Sequence, residues 1–371
     1  MVTRIQKFIG TASILAASLG LVACQGVAGG GGGDGELAKW QGANYMPEKN
    51  SFSQSLIAVS EFFEEEGVAK SELFHQGSLL GPEDILPGVS EGRADYGIIN
   101  PFYYPGDLPL TNVASVPFIT DDPWAFTTSL NEMYASNEAL QAEYDKAGVH
   151  LITFVPVATT IVGTKEPIES LDDFKGTKIR AVGLLSTAMS EVGVSPVSVP
   201  AGDIYQSVEQ GVIDGYTSYP FDIAVDNSFH EVAPNVLDAG TGNYSVGAIL
   251  INKGKWDALT DDQKKALTDN VSTFTDGASD QITSDLEEMC DSFLEADGTP
   301  TALSGSDVKK FKDKVGDSLV EKWTKDTESS GVDAATSKQF LDDLESKIAD
   351  NESKSTYDLS VGPCIAKADQ K

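Results

Sequence analysis

Arginine occurs only three times in this 371-residue chain, at Arg4, Arg93 and Arg180, and lysine supplies the remaining positive charge. A guanidinium presents a planar fork that pairs both oxygens of a carboxylate, which an ammonium cannot do. Arg180 sits in the β-like run TKIRAV, and an arginine there in a lysine-preferring protein suggests a geometric task. Two tasks fit equally well on spacing alone. One is pairing with the carboxylate of a ligand; the other is a structural ion pair with one of the many Asp or Glu residues. A second polar group, Tyr216-Thr217-Ser218-Tyr219, closes the strand-like run VIDGYTSY.

The elements that must position these groups lie between Lys165 and Pro220. Ser170 is placed to cap a short helix, LDDFK, that Gly176 ends. LLSTAMSEV then reads as a helix stopped by Gly193, and PVSV as a strand limited by Pro200. Asp203 caps IYQSVEQ, Gly211 ends it, and VIDGYTSY is the next strand. Strand, helix, strand, helix, strand predicts a parallel α/β unit. Such sheets bind ligands beyond the C-terminal ends of their strands, where Arg180 and the Tyr216–Tyr219 run fall.

The same stretch resembles the substrate-binding (P) subunits of TRAP transporters, the tripartite ATP-independent periplasmic carriers. KEPIESLDDFKGTKIRAVG and VGVSPVSVPAGDIYQSVEQGVIDGYTSYP carry the likeness. HQGSLLGPEDILPGVSEGRADYGI, SVPFI and INKGKWDALTDDQKKAL match in order, so the resemblance covers nearly the whole mature chain. It implies an α/β, two-lobed clamshell fold of the periplasmic-binding-protein type, with a long helix bridging both lobes. It also implies that Arg180, closing the K-I-R motif, pairs with a substrate carboxylate, and that Ser218 and Tyr219 contact the ligand after the D-G pair. Some members carry a second arginine near Thr160, which makes Thr160 itself a candidate ligand contact here. The absence of that arginine puts sugar-acid or dicarboxylate specificity in doubt.

The N-terminus reads as an export signal over residues 1–23. Arg4 and Lys7 precede an apolar run too short for a spanning helix, which ends in Leu21-Val22-Ala23-Cys24. That ending resembles a bacterial lipobox and makes Cys24 a candidate lipidation site; the alternative is an ordinary signal cut near Ala23. Residues 24–36, with Gly29 to Gly33, form a flexible linker. The formal net charge is −31, and losing Arg4 and Lys7 makes it more negative. This excludes nucleic acid and anionic lipid surfaces as partners, leaving the membrane to be reached through the lipid anchor. Acidic pairs such as Asp121-Asp122 and Asp342-Asp343 read as solvated faces.

The predicted lobes are residues 37–157 with 244–283, and 158–243 with 284–371 including C-terminal helices. Tyr45 follows a first strand, where it either packs or faces the cleft. Ser51 to Glu66 is an amphipathic helix with Leu56, Val59, Phe62 and Phe63 as its stripe. Pro82 opens a short helix with Glu83 in its first turn, favoured by the helix dipole; the resemblance implies a ligand contact nearby. Asn100 and Tyr103 follow the strand Ala94 to Ile99, as a cleft requires. Ser115 to Ile119 and Leu151 to Val157 are strands, with Pro123 to Ala147 helical between them. The chain crosses between lobes at Thr159 and Thr160 and returns at Gly240 to Asn252. Trp256 to Ala296 is a long helical region, and Ser306 to Thr324 and Ala334 to Ala349 are two more helices. Cys290 and Cys364 either pair, as exported chains allow, or remain buried thiols.

No catalytic set is visible. His75, His150 and His230 have no metal-ligand spacing, and neither a nucleophile elbow nor a P-loop is present. The sequence therefore predicts a non-enzymatic, extracytoplasmic solute-binding protein with no metal and no cofactor. It would take a small organic acid to TRAP membrane permease subunits. The alternatives are the binding component of an ATP-driven importer, and a secreted lyase using Tyr219 as base.

Overall fold

The computed structural model describes residues 37–370; the candidate signal, Cys24 and the glycine linker lie outside them. The chain first forms β1 (Lys39–Ala43), α1 (Ser51–Glu65), β2 (Lys70–Phe74), α2 (Ile85–Ser90), β3 (Tyr96–Ile99), α3 (Pro123–Ser136), α4 (Glu138–Lys146) and β4 (Val149–Val155). Next come β5 (Thr160–Thr164), β6 (Lys178–Arg180), α5 (Gly183–Glu191), β7 (Ser195–Val197), α6 (Ile204–Glu209), β8 (Gly215–Pro220), α7 (Phe221–Asp226) and β9 (Asn235–Asp238). Then follow β10 (Gly247–Asn252), α8 (Lys253–Ala258), α9 (Asp261–Asp269), α10 (Val271–Glu295) and β11 (Thr299–Ala302). Four helices finish the chain: α11 (Gly305–Val315), α12 (Ser318–Ser329), α13 (Ala334–Glu352) and α14 (Gly362–Ala368).

Two mixed sheets organise these elements into an α/β, two-lobed fold. The first has the order β2-β1-β3-β10-β4 and the second β11-β9-β5-β8-β6-β7. In the second, β6 runs parallel to both β7 and β8, as the alternation around Arg180 predicts. β5 is antiparallel to β8 and β9, so this sheet is mixed. The chain passes from one sheet to the other between β4 and β5 and comes back between β9 and β10, where β10 lies antiparallel to β3 and β4. Every residue of β3 is buried, and so is every residue of β10 except Asn252. Both strands sit inside the first sheet with helices over them, which is why they read as unbroken apolar runs.

Helix α1 starts where Asn50 accepts a bond from the Ser53 N–H, the service an N-cap asparagine provides. Its buried stripe includes Leu56, Val59 and Phe63, all without exposure. Each such side chain contributes about 1.5–3 kcal/mol on burial. The other face of α1 meets α10, which packs in turn on β4 of the first sheet and on α7, directly after β8 of the second. The 25-residue α10 is the long helix in contact with both halves. Cys290 on α10 is bonded to Cys364 on α14, with Cα atoms 5.5 Å apart.

Several predicted elements are broken or moved. The single helix predicted over Pro123 to Ala147 is two, because Asn137 ends α3 and caps α4 by accepting from the Leu140 N–H. Gly316, at φ 51°, likewise splits α11 from α12. The helix after Pro82 begins only at Ile85, so Glu83 stands exposed ahead of it and outside its first turn. Ser115 to Ile119 is not a strand: Thr111–Ser115 is a 3-10 turn. Pro117 offers no N–H, and Phe118, at a φ of 68°, turns the chain out of extended backbone. α13 packs against α3 of the first half, with Asn351 donating to Ser129 at 3.0 Å.

Candidate ligand-binding site

Arg180 ends β6 and is 1% exposed. Its Nε donates to the Val199 carbonyl at 3.2 Å. Nη1 donates to the carbonyls of Thr217 at 3.2 Å and Ser218 at 3.4 Å. The guanidinium lies 5.3 Å from the centre of the Tyr219 ring. Among the described residues no carboxylate pairs with Arg180, although twelve other ion pairs form, all on lysines or Arg93. The structural ion pair that spacing left open is therefore not made. Burying an ion costs several kcal/mol unless it is compensated, and here the compensation comes from three carbonyl dipoles and the Tyr103 hydroxyl, with no counter-charge among the described residues.

Ser218 explains how the carbonyls reach it. Tyr219 pairs with Ile161 and Tyr216 with Gly163, so Thr217 and Ser218 together face the single residue Val162. This bulge puts Ser218 in the left-handed region at φ 61°, a conformation non-glycine residues enter at a cost. The Ser218 hydroxyl accepts from the Val182 N–H at 3.1 Å, which ties β8 to the start of α5. The kink aims the Ser218 carbonyl at Arg180 and brings Tyr219 into the pocket.

Arg180, Ser218 and Tyr219 line one side of a small pocket with Asn100, Tyr103 and Tyr45 opposite. Its cavity volume is about 30 Å³, enough for two or three waters. Asn100 follows β3; its Oδ1 accepts from Ser245 Oγ at 2.6 Å and from the Phe102 N–H at 3.4 Å. The amide nitrogen has no partner among the described residues. Tyr45 both packs and lines the pocket, its ring edge-to-face with Phe52 and Tyr103. Burial pushes the phenols of Tyr45, Tyr103, Tyr219 and Tyr244 up, with Arg180 opposing the rise at the last three. All four stay protonated near neutrality, so a general-base role for Tyr219 has no support.

Two candidates fall outside the pocket. Thr160 is buried within the second sheet, where its hydroxyl contacts Thr217 Oγ1 and donates to the Tyr219 carbonyl, both at 3.3 Å. Glu83 is exposed and does not line the space. The sequence reading missed Tyr244, Phe102, Phe52, Met46, Val157, Pro220 and Ile223. Tyr244 precedes β10 as the chain returns to the first sheet, and Phe102 stands between two residues already singled out. Position beside a crossing was the available signal for the first, and adjacency for the second.

The histidines belong to packing. His75 meets the Asn44 amide at 2.9 Å, and His150 stacks on Trp256 at 3.6 Å, its pKa lowered to about 3 mainly by burial. No metal-binding cluster occurs among the described residues.

Two sheets joined by crossings, with a buried arginine turned into the space between their strand ends, define a two-lobed ligand-binding protein. The chain belongs to the bacterial extracellular solute-binding proteins of family 7, whose model matches residues 43–326. It is accordingly a binding protein and not an enzyme. It is 24% identical to the ectoine-binding periplasmic protein TeaA of Halomonas elongata, over 76% of this chain and 82% of that one. It is 23% identical to the 2,3-diketo-L-gulonate-binding periplasmic protein YiaO of Escherichia coli K12, over 70% and 78%. A TRAP periplasmic solute-binding protein of Desulfovibrio salexigens superposes with a TM-score of 0.71 at 26% identity, covering 86% of this chain and 98% of that one.

Proposed function

We propose that the protein captures a small organic carboxylate outside the cytoplasm and hands it to the permease subunits of a TRAP transporter. The observation that carries this reading is Arg180, a buried cation with three carbonyl partners and no carboxylate partner among the described residues. A carboxylate entering the pocket supplies the missing charge and takes guanidinium N–H groups that the carbonyls leave. Protonated phenols and the Asn100 amide then donate to its remaining oxygens. The relatives named periplasmic agree with export. No helix among the described residues is long and apolar enough to cross a membrane. The Leu21-Val22-Ala23-Cys24 run supports attachment through lipid on Cys24. Mass spectrometry of ligand released from the purified protein tests the reading. An organic acid is expected, bound at least tenfold more weakly by Arg180→Lys; a ligand without an acid group overturns it.

The site residues we assign are Arg180, Asn100, Tyr103, Tyr45, Ser218 and Tyr219. We keep the lobe boundaries predicted from the sequence with one amendment: α13, which packs against α3, goes with the first lobe. Ligand closes the lobes about the crossings. There the Thr159 N–H donates to the Leu359 carbonyl at 2.9 Å and the Asn243 N–H to the Thr120 carbonyl at 2.8 Å. Small-angle scattering should give a smaller radius of gyration with saturating ligand, and an unchanged profile counts against closure.

A further inference from the structure

We infer that the pocket selects a singly charged acid: one carboxylate, with every other polar group a neutral oxygen, and neither a second carboxylate nor an ammonium. This rests on the carboxylate reading of Arg180. The charges and donors around the space set this limit.

Arg180 is the one ionised side chain lining it among the described residues; no lysine and no carboxylate joins it. A guanidinium has five N–H groups. Nε and Nη1 are engaged by the carbonyls of Val199, Thr217 and Ser218. Among the described residues Nη2 has no carbonyl or carboxylate partner, and the Tyr103 hydroxyl that meets the guanidinium is neutral, so N–H groups are left for one carboxylate. The other polar groups are the phenols of Tyr45, Tyr103, Tyr219 and Tyr244, the amide of Asn100, and the hydroxyl of Ser218, which already accepts from the Val182 N–H. These are neutral, and they both donate and accept, so they match hydroxyl or keto oxygens.

A second carboxylate would be desolvated with no second cation to meet it, and a buried ion without a counter-charge is strongly disfavoured. A dianion would also approach against the field of a chain with formal charge −31. An ammonium would face the like charge of Arg180 with no carboxylate in the lining. Two acids act on the lining without joining it: exposed Glu83, whose charge reaches Tyr103, and buried Asp222, held by Ser51 Oγ at 2.7 Å. A delocalised cation could instead rest on aromatic faces, but Arg180 already lies over the Tyr219 ring. Ectoine, the ligand named for one relative, is therefore a discriminating probe.

The test uses the mature protein, stripped of ligand in denaturant and refolded. Calorimetric titration compares two matched series that change one group beside the carboxylate: lactate, methylmalonate and alanine, then mandelate, phenylmalonate and phenylglycine. Ectoine is titrated alongside, and the acid co-purified from the producing cells is weighed. In the series that fits, the hydroxy acid should bind at least 30-fold more tightly than its dicarboxylate or amino partner, and the co-purified acid should be a monocarboxylate without an amine. Asn100→Asp keeps the acceptor for Ser245 and adds a charge, so it should weaken the hydroxy acid at least tenfold and narrow its lead over the amino acid. A dicarboxylate that binds as tightly as its hydroxy acid overturns the inference and leaves the carboxylate reading standing. An amino acid or ectoine that binds as tightly does the same. If no acid binds, from the series or from the cells, the carboxylate reading fails and takes this inference with it.

Discussion

Arg180 in the cleft and Glu143 on α4 are both buried ionisable residues, and their surroundings are opposite. The Glu143 carboxylate accepts from the N–H groups of Leu110 and Thr111, at 2.6 and 3.1 Å, and from Thr111 Oγ1 at 2.6 Å. It satisfies two backbone donors of the 3-10 turn and fastens α4 to it. Arg180 meets three carbonyls and the Tyr103 hydroxyl, all neutral, and no carboxylate among the described residues. A buried charge whose hydrogen-bond partners fasten one segment to another completes the fold. A buried cation that meets only neutral dipoles is left to be paired from outside.

The comparison breaks most visibly at Arg180. Hydrogen bonds to a charged group contribute roughly 1.5–3 kcal/mol each. Arg180→Ala should therefore lose at least about a hundredfold in affinity for the co-purified acid, and Arg180→Lys at least about tenfold. The three carbonyls also lose their donor, so Arg180→Ala should destabilise the empty protein by about 1–3 kcal/mol. Wild-type affinity in Arg180→Ala, by calorimetry, would place the carboxylate elsewhere.

Glu143→Ala should do the reverse. Two backbone N–H groups would be left without a partner, which costs about 1–3 kcal/mol each. Urea unfolding should show the loss, while affinity for the acid stays within about twofold. A loss of affinity comparable to that of Arg180→Ala would erase the distinction.

Asp222 sharpens the comparison through pH. Burial pushes its carboxyl up to about 6 and that of Glu143 up to about 7. Each holds its proton more tightly folded than unfolded, so its contribution is whole below about pH 4 and is lost as pH rises through 6 to 7. Asp222→Asn keeps an acceptor for Ser51 and removes the buried charge. It should gain about 1–3 kcal/mol over wild type at pH 8 and nothing at pH 4. Equal gains at both pH values would show that ionisation is not the cause.

Ser218 gives the smallest effect. Ser218→Gly relieves the positive φ but removes the acceptor for Val182, so stability should change by less than about 1 kcal/mol. Ser218→Val adds a β-branched side chain at φ 61° and should cost about 1–3 kcal/mol. Thermal unfolding of the pair measures the strain at the bulge, and equal melting temperatures would deny it.

The alternation of elements around Arg180 was legible because glycines and prolines punctuate it, and Gly176, Gly193 and Gly211 all take positive φ where the helices and turns end. The approach of Asn100, Tyr103 and Tyr45 to Arg180 was legible only through the resemblance, since no local pattern joins residues so far apart in sequence. Thr160 was misplaced because alternation along β5 does not reveal which face the cleft uses when both faces are buried. The break at Asn137 was invisible because the apolar pattern continues through it, while a side-chain bond to Leu140 N–H restarts the helix. The bulge at Ser218 left no mark on composition: serine is an ordinary strand-end residue, and tertiary bonds set its φ.

Helix α14 has seven residues, too few to persist alone, and the Cys290–Cys364 bond closes 74 residues of chain onto α10. Bonds of this kind commonly contribute about 2–5 kcal/mol in small exported domains. A ligand at a hundred times its dissociation constant adds about 2.7 kcal/mol. The two quantities are of the same size. In a melting-curve screen for ligands, protein made in a reducing cytosol and partly oxidised afterwards would give a mixed baseline. A batch that differs only in thiol oxidation would then score as a hit, so thiol counting belongs beside every compound plate.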